Sequence, residues 1–122
     1  MPPLSVQREF REGLELYRRG LGGEGLVDAT VAWARKLAKG EPITPEKARK
    51  MAAWFARHGA SPLENAARAR QKAALARGEL RGRAPALVAW LLWGGDSARV
   101  WARRLVDSGW ASERPLPRRR GK

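Results

Sequence analysis

Large apolar residues recur along this chain at helical intervals and nowhere alternate for the length of a strand. Val6, Phe10, Leu14 and Tyr17 follow by steps of four, four and three, which predicts a helix over Ser5 to Arg19 with Gly20 as its stop. After a glycine-rich connector, Gly20 to Gly25, the residues Val27, Val31, Ala34 and Ala38 mark a second helix over Leu26 to Lys39. Thr44 then stands as an N-cap before Pro45 and Glu46, so a third helix runs to Arg57-His58-Gly59 behind Ala48, Met51, Ala52 and Phe55. Ser61-Pro62-Leu63-Glu64 repeats that start at capping-box spacing.

The fourth helix differs from the first three. From Ala66 to Arg77 it reads AARARQKAALAR, with Leu75 as its one large apolar anchor, so alanine propensity rather than burial makes it helical. Gly78 and Gly82 then bracket a connector expected to be mobile. Pro85 to Trp93 is apolar on every side, as befits a short helix in the middle of a bundle. In AWLLWGGDSARVWARR, residues 89 to 104, Gly94-Gly95 ends that helix and Asp96 is expected to cap the next, Ser97 to Ser108. Its expected inward face is Val100, Trp101, Leu105 and the stem of Arg104. Trp90, Trp93 and Trp101 read as core; Trp93 or the late Trp110 is the candidate for an exposed stacking platform.

The pattern predicts an all-α fold: a compact single-domain bundle of about six short helices over residues 1–110, then a disordered basic tail over 111–122. A chain of 122 residues with 43% hydrophobic content suits one domain. The absence of cysteine excludes disulfides and thiolate metal sites. No basic-then-apolar leader and no run of roughly 20 apolar residues is present, so no membrane partner is expected.

Charge changes the picture most. The net charge of +13 is unevenly placed: residues 1–67 hold 11 basic and 8 acidic side chains, residues 68–122 hold 14 and 4. An arginine-rich genome or a thermophilic source would raise arginine overall, but not in one half alone. The second half therefore points to a polyanion. Arg68, Arg70, Lys72, Arg77, Arg81 and Arg83, with Arg118, Arg119, Arg120 and Lys122 of the tail, are the candidate phosphate contacts, largely blind to sequence, with DNA ahead of RNA as the nucleic-acid partner. The alternative is a protein-interaction or virion module that meets an acidic partner or assembles with itself.

Catalytic chemistry has little to stand on. His58 is the sole histidine, no cysteine exists, and no serine sits in a nucleophile motif, so no enzyme, no catalytic residue and no cofactor is expected. The carboxylates Glu46, Glu64 and Asp96 are committed to helix starts, which argues against a metal site. Arg57, His58 and Asp96 remain a candidate polar tether between helix ends, or an anion pocket, with an acid–base pair as the least supported option.

Several of these segments together resemble a family of small proteins of tailed bacteriophages. The resemblance rests on Gly22-Gly23, on Ala34-Arg35, on Met51 with Trp54-Phe55-Ala56-Arg57-His58, and on Ala89 through Asp96 followed by Trp101-Ala102. It spans about residues 13 to 102, and Trp-Gly-Gly-Asp is its most specific part. Members carry a polar, glycine-rich connector where this chain has the basic helix of residues 62–77. The resemblance implies phage origin near head or packaging genes, hence the host cytoplasm or a place in the particle, and a phage or host protein as a further partner.

Overall fold

The computed structural model describes residues 1–22 and 28–111. Among these, six α-helices and no strands are found: α1 Leu4–Arg18, α2 Asp28–Ala38, α3 Pro45–Gly59, α4 Pro62–Ala76, α5 Pro85–Leu92 and α6 Gly95–Asp107. The all-α bundle read from periodicity is what the chain forms.

α1 packs against α2, α5 and α6, and α5 in turn meets α1, α2, α4 and α6, so these two helices form the centre. α5 buries Leu87, Val88, Trp90, Leu91 and Leu92, nearly its whole circumference. Fully burying such a side chain is worth about 1.5 to 3 kcal/mol, which holds a helix too short to persist alone. Phe10, Leu37, Met51 and Leu92 are the largest side chains wholly withdrawn from water. Gly13 lets α1 and α5 approach: a Cβ there would stand 2.8 Å from the Leu91 carbonyl carbon.

The starts of α3 and α4 follow local chemistry. Thr44 Oγ1 accepts the Lys47 N–H at 3.1 Å and Ser61 Oγ accepts the Glu64 N–H at 3.3 Å, each before a proline in the first turn. The capping box of α4 is half made, because the Glu64 carboxylate turns to His58 and the Ser61 N–H reaches the His58 carbonyl.

α5 starts at Pro85 as expected, whereas the cap of α6 differs from expectation. Asp96 lies in the first turn of α6 and is not its cap; Gly94 takes that position with φ +111°. Glu9 of α1 supplies the missing acceptor, its Oε2 receiving the Ser97 N–H at 3.0 Å. Gln71 of α4 does the same for α5, its Oε1 receiving the Leu87 N–H at 2.9 Å. The Gly-Gly of the quoted stretch is thus a corner with φ +111° and +71° pressed against α1: a Cβ on Gly94 would meet Ala98 and Phe10, and one on Gly95 would meet Glu9.

The inward face of α6 also needs correction. Gly95, Ala98 and Ala102 are buried, Trp101 and Leu105 are half-buried, and Val100 is 48% exposed. Small residues allow α6 to lie close on α3 and α1, and that close approach turns Val100 and Arg104 outward. Trp90 is buried and Trp110 exposed, as expected. Ala111, assigned by pattern to the tail, is fully buried and donates its N–H to the Leu105 carbonyl at 3.1 Å. The connector between α4 and α5 is anchored at its end by Ala84, whose N–H bonds the Leu21 carbonyl at 2.8 Å, and by the half-buried Leu80.

Candidate nucleic-acid interface

α4 carries three of the candidate cations, Arg68, Arg70 and Lys72, and its attachment sorts them. It buries no residue. Arg68 lies over the Trp90 ring at 3.6 Å and donates to Asn65 Oδ1 at 2.6 Å, while Asn65 donates to the Gly59 carbonyl at 2.9 Å. Burial lowers the pKa of Arg68, with Asp96 and Glu64 acting in the opposite sense, and a guanidinium stays charged throughout. Arg68 is thereby a clamp for the helix more than a contact for phosphate.

Helical geometry divides the remaining candidates. Lys72 stands four residues from Arg68 on the same face, and both line a trough of about 630 Å³ floored by Leu87, Trp90 and Leu91. Its other wall is Glu9 and Glu12 of α1. Arg70 and Arg77, seven apart, share the opposite face, and Arg77 is bonded to Glu79 at 2.7 Å. Arg81 and Arg83 follow in the connector, exposed. Arg118, Arg119, Arg120 and Lys122 lie outside the described residues.

The expected tether does not form. His58 Nδ1 lies 2.6 Å from Glu64 Oε1, Asp96 Oδ1 accepts the Trp90 indole N–H at 2.9 Å, and Arg57 is exposed. A buried indole N–H needs an acceptor, and Asp96 in the first turn of α6 provides it. Arg57, His58 and Asp96 therefore serve three separate places. Among the described residues no group of three or more potential metal ligands occurs. No described helix is long and apolar enough to cross a membrane.

Trp93 is already covered. The Trp54 ring stacks on it at 5.1 Å and the Lys47 ammonium lies 3.9 Å from its centre, with Trp33 a further 5.6 Å from the same ammonium. Lys47 is 95% removed from water, and burial pushes its pKa down to about 8, assisted by Lys50, while the indole faces pull the other way. Trp110 is half-exposed and is the more accessible of the two rings.

Arg99 and Arg103 have no role in the pattern, and Arg104 was expected to point inward by its stem. They line a groove between α3 and α6, and the signal was the four-residue spacing of Arg99 with Arg103 and of Val100 with Arg104. Compared with family models, with curated proteins and with solved structures, the chain matches none.

Proposed function

We propose that the protein is an accessory nucleic-acid-binding protein that holds phosphates through α4, the connector after it and the C-terminal basic run, largely without reading sequence. Duplex DNA is the favoured polyanion and RNA the second. The observation that carries this reading is that Arg70, Lys72, Arg81 and Arg83 are all exposed and take part in none of the ion pairs among the described residues. They sit in the half of the chain where 14 basic residues face 4 acidic ones. Cations spread over a helix and a connector suit phosphate contact, which positions a protein without specifying sequence. The resemblance to tailed-phage proteins supports a setting in the host cytoplasm and carriage in the particle.

Binding is tested by fluorescence anisotropy against duplex DNA, single strands and an acidic protein as control. Deleting Pro115 to Lys122 removes four basic residues, Arg118, Arg119, Arg120 and Lys122, and should weaken binding to every DNA sequence alike. An affinity for DNA that is indifferent to salt and to this deletion would defeat the proposal.

A further inference from the structure

We infer that the groove between α3 and α6 docks an acidic amphipathic helix of another protein. Its floor is Ala52, Phe55 and Ala56 of α3 with Val100 of α6, and the cavity holds about 390 Å³. Arg99, Arg103 and Arg104 line its α6 side. From Arg99 to Asp107 the groove wall follows α6 for about 12 Å, or two turns of a helix laid beside it.

Two features select the occupant. Arg103 is already engaged, bonded to the one lining carboxylate, Asp107, at 3.0 Å, and Arg99 and Arg104 give the rim its positive charge to share. Between the cations lies apolar surface: Val100, 48% exposed, is one of five large hydrophobic side chains left in water among the described residues. A helix with leucines on one face and glutamates beside them satisfies both. Nucleic acid satisfies only the first, because Phe55 is 3% exposed and offers no ring face for a base. Residues 112–122, with five basic side chains and Glu113, carry the wrong sign. A second copy offers no acidic helix among the described residues: in α1, the helix richest in carboxylates, Glu9, Glu12 and Glu15 are balanced by Arg8, Arg11 and Arg18, and Glu9 and Glu15 are already bonded to the Ser97 N–H and Arg18.

The test uses the full chain and a labelled synthetic helix bearing leucines on one face flanked by glutamates, with a control peptide of the same composition whose leucines are scattered. The first peptide should bind at least about tenfold tighter than the control. Val100→Gln should weaken it about fivefold and Arg99→Gln/Arg104→Gln about tenfold, with circular dichroism and duplex-DNA affinity unchanged for both variants. Equal binding of the two peptides, or of the parent and Val100→Gln, would overturn the inference. So would loss of peptide and DNA binding in equal proportion, which marks charge alone. Self-association of the free protein that Val100→Gln abolishes would give the groove to a second copy instead, and overturns it as well.

Discussion

α4 and α6 both present arginines on the surface of the bundle, yet one is attached by polar contacts and the other by close packing. α6 is seated through Gly95, Ala98 and Ala102 against α3 and α1, with its start fixed by a glutamate from α1. α4 buries no residue fully and is held by Leu75, half-buried against the core, by Arg68 on Trp90, by Gln71 on the Leu87 N–H and by Asn65 on the Gly59 carbonyl. The same contrast separates the two cations resting on Trp90 of α5 and on Trp93 just past its end. Lys47, on the packed side, is buried with no carboxylate bonded to it, whereas Arg68 on the α4 side keeps a hydrogen bond to Asn65 and has Asp96 and Glu64 acting on it. Close packing leaves α6's arginines around an apolar groove; polar attachment leaves α4's outer cations to the solvent.

The packed side should answer mutation most strongly. Gly94→Ala puts a Cβ at φ +111° against Ala98 and Phe10, and urea unfolding should show a loss of about 3 kcal/mol or more. A loss below about 1 kcal/mol would mean that the corner relaxes freely. Lys47→Met should act in the other direction, raising stability near pH 7 by about 2 kcal/mol, because it removes a buried ammonium whose cost the indole faces only partly offset. With a folded pKa near 8 against 10.5 when unfolded, the wild type binds fewer protons folded than unfolded between these values, so its stability rises with pH there. The gain from Lys47→Met is therefore full below pH 8, fades as pH rises from 8 to 10.5 and is gone above that; a gain that persists undiminished at high pH would assign it to packing.

Changes on the α4 side should be smaller and local. Arg68→Met should cost about 1 kcal/mol and speed hydrogen exchange of α4 amides while α5 stays protected. Exchange that rises equally in both helices would show that α4 and α5 unfold as one. Gly78→Ala, at φ +71° with nothing within 4 Å of the new Cβ, should cost about 1 kcal/mol, the backbone part of the Gly94 penalty without the crowding.

How much of this was legible in sequence follows the reach of each interaction. Thr44 and Ser61 cap helices within their own turn, and both could be named from residue types alone. Gln71 and Glu9 cap α5 and α6 from 16 and 88 residues away, and no local pattern announces them. Asp96 looked like a cap because it follows a glycine pair, but the buried Trp90 indole six residues back took its carboxylate. On α6 Trp101 and Leu105 pack against the core as their size suggests, but Ala98 and Ala102 lie deepest and Val100 and Arg104 turn out, since close helix contact favours the smallest side chain. The thin burial of α4 was plain from its alanines and arginines; that Arg68 would clamp it to Trp90 was not.

The division between the two arginine-bearing helices is most directly tested by the salt dependence of duplex-DNA binding in two variants measured side by side. Replacing Arg70, Lys72, Arg81 and Arg83 by glutamine should flatten the slope of log affinity against log salt by roughly 0.9 for each phosphate contact removed, while Arg99→Gln/Arg104→Gln leaves the parent's slope in place. A parent slope near zero, or equal flattening by the α6 pair, would contradict the assignment of phosphate binding to α4 and its connector.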